Sequence, residues 1–195
     1  MNSTFGLKKE VLRKLVHLSA TVAIFADLFF TQYTIIVVGT ILCIAYLTSE
    51  YFRFKGERIA FITDMIKFFA RPHELKGWVL TPFYPLASIT ILYGLAGIVF
   101  STDAVHIGIL ALTFGDASAA IIGRKFGRHR HWIIRGKSLE GSISFFLTTF
   151  IGSLFFVSWQ TAVVVALGGA IIEIFSGNFD NFTVPFCVAI LVSII

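Results

Sequence analysis

The feature that most constrains this chain is a succession of seven apolar runs separated by short polar connections. The runs cover residues 15–30, 33–48, 77–100, 105–122, 139–158, 161–175 and 182–195. Because 56% of the residues are hydrophobic, only 14% are charged and the mean hydropathy is +0.85, a soluble fold would expose large apolar surfaces to water. We therefore predict an all-α, polytopic transmembrane helical bundle of about seven spans, with residues 1–195 forming a single membrane domain.

The basic residues fall on alternate connections. They occur at the N-terminus, in the segment 53–76 and in the loop 124–137, whereas the connections 31–32, 101–103 and 159–160 contain none. Since Lys and Arg in short loops are retained in the cytoplasm, this distribution predicts that the N-terminus lies inside and the C-terminus outside. The segment 57–71 interleaves apolar and charged residues in the pattern of an amphipathic helix lying on the inner leaflet.

Two local patterns bear on helix packing. Pro82 and Pro85 fall early in the third run, where we expect them to kink the helix. Gly115, Ala119 and Gly123 recur at intervals of four residues, which predicts a face along which another helix approaches closely.

Several ionisable residues lie near the inner ends of the apolar runs. Asp116 is the deepest, about 12 Å along the helix from Arg124. A charge at membrane depth costs roughly 2.5 kcal/mol or more, so Asp116 is expected to have a functional partner. Glu50 is expected to be an interfacial anchor that pairs with the basic segments, and Asp27 is expected at the opposite interface. The other polar groups that approach the inner face are His17, Glu140, Glu173, Asp180 and Asn181.

The loop 124–137 contains more cationic side chains than topology requires. They are Arg124, Lys125, Arg128, Arg130, Arg135 and Lys137, accompanied by His129 and His131. Such a loop can clamp phosphates, although contact with anionic lipids is an alternative explanation. Carboxylates beside a cationic loop indicate a site for a polyphosphate and Mg²⁺. The sequence has no Walker A motif, kinase Gly-rich loop or GxSxG motif.

The motifs around this loop resemble a known family. Residues 114–120 (FGDASAA) and 136–142 (GKSLEGS) are similar to the signature of the dolichol kinase, phytol kinase and CTP-dependent diacylglycerol kinase family. Further matches, in the same order along the chain, are an Arg-Lys-x-x-His element at 13–17, the segment 71–77, and Glu173 followed by Asp-Asn-x-x-Val-Pro at 180–185. The resemblance is therefore spread over almost the whole chain.

The resemblance implies a membrane kinase that uses CTP and Mg²⁺ to phosphorylate the hydroxyl of a lipid alcohol such as a polyprenol, dolichol, phytol or diacylglycerol. The active site would face the cytoplasm. From position and charge, we expect Asp116 with Glu173 or Asp180 to hold Mg²⁺, Glu140 to orient the acceptor or take its proton, and His17 to order the site. The residues expected to bind the nucleotide are Arg124, Lys125, Arg128, Arg135, Lys137, Ser138 and Asn181.

Other functions use similar residues. A lipid cytidylyltransferase would release pyrophosphate and leave CMP on the lipid, and a small transporter or scramblase would use intramembrane acids for coupling ions. ATP is an alternative donor, and the short spans leave a homodimer open. The partners expected are thus the bilayer, a nucleoside triphosphate and a lipid alcohol, with no nucleic acid, because topology explains the net charge of +5.

Overall fold

The chain folds into helices joined by turns. The structure, a computed structural model, describes residues 11, 13–15, 17–57, 59, 63, 64, 66, 70, 74–130 and 136–195, and these contain no strand. The helices are α1 (Val22–Ala26), α2 (Gln32–Phe54), α3 (Phe83–Leu95), α4 (Thr102–Leu110), α5 (Asp116–Phe126), α6 (Leu139–Ser153), α7 (Trp159–Ser176) and α8 (Asp180–Ile194). The described residues between 11 and 19 are also helical and are called the N-terminal segment below. The prediction of an all-α fold is confirmed for this part of the chain.

Within the described part of the chain, three helical units are long and apolar enough to cross a membrane. They are α2, the continuous unit Thr102–Phe126 and α7. Helices α3, α6 and α8 have 13, 15 and 15 residues. At a rise of 1.5 Å per residue these cover only about 20–23 Å, less than the roughly 30 Å of hydrocarbon in a bilayer. The number of spans and the orientation of the N-terminus therefore stay predictions.

The first apolar run forms an interrupted helix rather than one continuous span. Helical structure lapses between the N-terminal segment and α1, where the amide of Ala20 donates to a carbonyl three residues earlier rather than four. Contacts on both sides hold this break in place. Lys14 pairs with Asp116 before it, and the Tyr93 hydroxyl donates to the Ala23 carbonyl after it, at 3.0 Å.

The prolines of the third run begin α3 and do not kink it. Pro82 immediately precedes the helix, and Pro85 is its third residue. The first four amides of an α-helix have no partner within the helix, so proline loses no hydrogen bond at these positions. The prediction of a kink was wrong. The prolines instead stand at the start of the helix, which begins later than the apolar run.

The small residues of α5 allow close contact with α6. A Cβ added to Gly123 would lie 3.0 Å from the Ser138 hydroxyl, and one added to Gly115 would lie 2.7 Å from the Thr149 hydroxyl. There is no room for a larger side chain at either position without displacing the neighbouring helix or its cap. The close helix approach predicted from the spacing of these residues is confirmed.

A π-helical turn, Ala111–Gly115, connects α4 to α5 without a break. It ends immediately before Asp116, the residue that the sequence singles out as the deepest charge. On one side of the turn α4 packs mainly against α8, and on the other side α5 packs mainly against α6. Turns of this kind are frequent at functional sites.

The amphipathic helix predicted over 57–71 falls largely outside the described residues. Of those described, Thr63, Asp64 and Ile66 are helical. Ile66 and Ala70 are buried and pack in one cluster with Val79. These contacts place part of the segment against the connection that leads into α3.

Glu50 anchors that connection. It is fully buried near the end of α2, where its carboxylate accepts hydrogen bonds from the Arg53 guanidinium and from the backbone amide of Val79. Arg53 also donates to the Gly77 carbonyl. The predicted pairing of Glu50 with the basic segment is confirmed, and its position at a membrane interface stays a prediction.

Candidate functional site

A polar cavity of about 540 Å³ lies where the N-terminal segment, α5, the start of α6 and the α7–α8 turn converge. Charged side chains of both signs line it. Its ionisable and hydrogen-bonding residues include Arg13, Lys14, His17, Asp116, Arg124, Lys137, Ser138, Glu173, Asp180 and Asn181. Most of the residues predicted from the sequence to bind nucleotide or metal thus line this one cavity, although they come from distant parts of the chain.

Asp116 pairs with Lys14 on one wall of the cavity. Its carboxylate accepts a hydrogen bond from the Lys14 ammonium, and both side chains are almost completely buried. Nδ1 of His17 lies 4.0 Å from Oδ2 of Asp116. Lys14 and His17 are three residues apart, so one face of the N-terminal segment presents both to α5. Sequence reasoning gave Lys14 no role, although this spacing within the Arg-Lys-x-x-His element was an available signal.

Lys137, which also lines the cavity, lies between two carboxylates. It donates a hydrogen bond to Glu173, and its Nζ is 3.4 Å from Oδ2 of Asp180. Lys137 is in the loop before α6. Burial alone would lower its pKa, but Glu173 and Asp180 outweigh that effect and hold the pKa above its ordinary value. The side chain is therefore cationic at neutral pH.

Two glycines shape the backbone around this cluster. Gly136, directly before Lys137, has a φ of 102°, and Gly177, in the turn between α7 and α8, has a φ of 57°. A side chain is disfavoured at positive φ, so glycine permits both turns. The turn at Gly177 brings Glu173, at the end of α7, and Asp180, at the start of α8, to the same lysine.

Glu140 does not line the cavity. Its carboxylate accepts hydrogen bonds from the backbone amides of Arg128 and His129, at 3.0 and 3.1 Å, and contacts the His129 ring at 2.8 Å. It thereby ties the first turn of α6 to the loop that follows α5. The structure does not bring Glu140 together with Asp116 around the cavity.

The predicted nucleotide-binding residues divide into two groups. Lys125 and Arg128 are exposed and do not line the cavity; the Lys125 ammonium lies 5.1 Å from the centre of the Phe126 ring. Arg135 lies outside the described residues. Those that line the cavity are Arg124, Lys137, Ser138 and Asn181. Ser138 also caps α6, because its hydroxyl accepts from the Gly141 amide at 3.2 Å.

Three curated proteins are similar to this chain. A phytol kinase of Synechocystis sp. is 36% identical over 90 residues, which are 40% of this chain and 39% of that protein. A dolichol kinase of Schizosaccharomyces pombe is 39% identical over 89 residues, covering 40% of this chain and 17% of the relative. A dolichol kinase of Saccharomyces cerevisiae is 28% identical over 121 residues, covering 61% of this chain and 22% of the relative.

The chain is related to the phytol and dolichol kinases. The resemblance inferred from the motifs is confirmed, and with the three apolar helices it indicates a membrane protein. The chain spans less than two fifths of the length of each of these relatives. No family model matches it, and no solved structure does.

The motif resemblance implies Mg²⁺, and the cavity has oxygen atoms that could hold such an ion. Oε2 of Glu173 and Oδ1 of Asn181 are buried and have no hydrogen-bond partner among the described residues. Such atoms are normally paired, so ligand binding would satisfy them. The described part of the chain has no group of three His, Cys, Asp or Glu side chains placed to hold one ion. Since Mg²⁺ in phosphate-transfer sites takes one or two carboxylates together with water and phosphate oxygens, these residues fit an ion that arrives with the nucleotide.

Proposed function

We propose that this chain is a membrane kinase that transfers the γ-phosphate of CTP to the hydroxyl of an isoprenoid or related lipid alcohol. The observation that carries the proposal is the single cavity that is lined both by Lys137, paired with Glu173 and Asp180, and by the Lys14–Asp116 pair. Its relatives are kinases named for two such alcohols, phytol and dolichol. CTP as the donor rests on the motif resemblance, and ATP is the alternative.

Phosphoryl transfer depends mainly on positioning and on neutralising charge. When bound, Mg²⁺ would supply positive charge that offsets the charge of the phosphate groups. Asp116, Glu173 and Asn181 would hold it, and Lys137 and Arg124 would bind phosphate oxygens. In the free protein Lys14 and Lys137 are already paired with carboxylates. Binding of a nucleotide would let both lysines contact phosphate oxygens, and the carboxylates that they release would be available to the cation, so the charges would stay compensated.

The acceptor hydroxyl would lie near His17. The Nδ1 atom of this histidine has no hydrogen-bond partner among the described residues and lies 4.0 Å from the Asp116 carboxylate. We infer that His17, supported by Asp116, orients the hydroxyl and accepts its proton. Glu140 would contribute by holding the backbone of the basic loop, a change from the role that the sequence suggested for it.

The proposal includes a topology. The chain would cross the membrane several times with its N-terminus and the polar cavity on the cytoplasmic side, because the Lys and Arg residues fall on alternate connections. Nucleotide would then enter from the cytoplasm and the lipid from the bilayer. Homodimer formation stays a prediction from the short helices.

The test is a transfer assay with the full chain in lipid nanodiscs. CTP or ATP labelled on the γ-phosphate is supplied with Mg²⁺ and, in turn, phytol, a polyprenol, dolichol or diacylglycerol. We expect the label in the lipid product, more rapidly from CTP than from ATP. Absence of transfer to every alcohol from both nucleotides would refute the proposal.

Two further assays separate the alternatives, which the comparisons do not favour. Transfer of label to the lipid from CTP labelled on the α-phosphate would identify a cytidylyltransferase. Substrate-dependent ion flux in liposomes without nucleotide consumption would identify a transporter.

A further inference from the structure

An apolar groove of about 710 Å³ lies beside the polar cavity. The N-terminal segment, α1, α2 and α3 form its walls. Val38 and Leu42 of α2 line it and are half exposed, at 50% and 49%. The lining of α2 extends from Thr34 to Tyr46, which is about 18 Å at 1.5 Å per residue. The groove therefore covers more than half the thickness of a hydrocarbon core of about 30 Å.

The groove and the polar cavity share one end. Arg13, His17 and Thr81 line both of them. His17 is also the residue beside Asp116. An elongated molecule in the groove would therefore have its apolar length between helices and its terminal polar group at the candidate phosphate-transfer site.

The floor of the groove is a direct contact between α2 and α3. Gly39 faces Thr90 there, and even a Cβ at position 39 would overlap the Thr90 hydroxyl. The two helices cannot move closer at this point. The space beside the contact is thus set by backbone packing as well as by side-chain positions.

We propose that this groove holds the hydrocarbon tail of the acceptor lipid alcohol, with the hydroxyl at the end formed by Arg13, His17 and Thr81. The inference rests on the proposed function and specifies where its lipid substrate binds. A hydroxyl suits this end because it is small, can hydrogen-bond to His17 and Thr81, and must approach the nucleotide phosphates. Only the first part of a long tail, about 18 Å, contacts the protein, and the remainder lies in the bilayer.

Photo-crosslinking tests binding independently of catalysis. The full chain in nanodiscs is irradiated with an isoprenoid alcohol that carries a diazirine on its tail, and labelled peptides are identified by mass spectrometry. We expect labelling on the groove-lining parts of α2 and α3, and competition by phytol. Equal labelling by a phospholipid with the same diazirine, or labelling that phytol does not displace, would overturn the proposal.

Two double variants of α2 provide a matched comparison. Val38→Trp with Leu42→Trp fills the groove, whereas Ile41→Trp with Ile44→Trp adds the same bulk to positions that are 59% and 60% exposed and do not line it. We expect the first variant to lose at least tenfold in labelling and to raise KM for the alcohol at least tenfold, with KM for the nucleotide unchanged. The second should match the wild type in all three measurements.

The outcomes separate the two proposals. If the wild type is labelled in the groove but transfers no phosphate to any alcohol, the proposed function fails and the lipid site stands. If phosphate is transferred and the groove-filling variant keeps its KM for the alcohol, the proposed function stands and the lipid site is refuted. Affinity that continues to rise with tail length from farnesol through geranylgeraniol to long polyprenols, with no plateau, would also contradict a groove of this length.

Discussion

Asp116 and His106 lie on the same helical unit, Thr102–Phe126, about 15 Å apart along its axis, and each pairs with a residue from the first 30 of the chain. Nε2 of His106 is 3.0 Å from Oδ2 of Asp27, and aromatic rings flank the imidazole. Asp116 instead pairs with Lys14 at the border of the polar cavity. His106 and both members of the Lys14–Asp116 pair are buried and Asp27 is partly buried, but the two pairs differ in what surrounds them.

This difference distinguishes the His106–Asp27 pair, which is a packing contact, from the Lys14–Asp116 pair, which belongs to a candidate active site. Neither cavity described above includes His106 or Asp27 in its lining. The Asp116 pair shares its cavity with Lys137, Glu173 and unpaired oxygen atoms. A buried charge in a membrane helix is therefore not sufficient to indicate function; space for a ligand and unsatisfied polar atoms are also needed.

The largest expected effect is that of Asp116→Asn. We expect kcat for phosphate transfer to fall about 10³-fold, because a charge that positions the metal and His17 is removed. The substitution also leaves Lys14 without its partner, which costs about 3–5 kcal/mol of stability. Thermal unfolding and the γ-phosphate transfer assay measure the two effects separately.

A double variant controls for the loss of stability. Asp116→Asn combined with Lys14→Met removes both charges and should recover much of the thermal stability without recovering transfer. Recovery of activity together with stability would show that Asp116 has only a structural role, like that proposed for Asp27.

Lys137→Gln is expected to reduce kcat/KM for the nucleotide about 10²-fold, since a buried cation that contacts phosphate is lost. Lys125→Gln, an exposed lysine near the same loop, should change it less than about twofold. Initial rates at varied nucleotide concentration provide the comparison. Equal losses in the two variants would mean that the cavity is not where the nucleotide binds.

His106→Phe tests the other pair. We expect the unfolding free energy to fall by about 1.5–3 kcal/mol, because the hydrogen bond to a carboxylate is lost while aromatic packing is kept. Transfer below the unfolding temperature should stay within about twofold of the wild type. If this variant lost activity as Asp116→Asn does, the distinction between the two pairs would be wrong.

Glu140→Gln should have the smallest effect. The amide keeps one acceptor for the amides of Arg128 and His129 but loses its charge, which weakens these hydrogen bonds. We expect about a fivefold rise in KM for the nucleotide and no change in KM for the alcohol. A loss of kcat comparable to that of Asp116→Asn would instead support a direct role for Glu140 in proton transfer.

Local sequence patterns predicted the features that depend on local spacing. Hydropathy indicated helices, and the intervals between Gly115, Ala119 and Gly123 indicated close helix packing. The position of Asp116 deep within an apolar run identified it as a candidate site residue. The same patterns did not reveal that the first run is interrupted, because hydropathy measures the length of an apolar stretch and not the continuity of its helix.

Long-range pairing could not be predicted from local patterns. Lys14 and Asp116 are 102 residues apart, and Asp27, which was expected at an interface, contacts His106, 79 residues along the chain. Glu140 shows a related limit. Glu140 is close to Lys137 in the sequence, but this proximity does not predict that the Glu140 carboxylate points toward the backbone of the preceding loop.

The π-turn Ala111–Gly115 affects how this helix should be compared with those of other proteins. An α-helix advances about 100° per residue, whereas a π-turn contains more than 3.6 residues in one turn. A helical wheel drawn through the whole unit would therefore assign residues on one side of the turn to the wrong face. Alignments of this segment are best divided at Gly115, with the part that contains His106 and the part that contains Asp116 compared as two helices in separate registers.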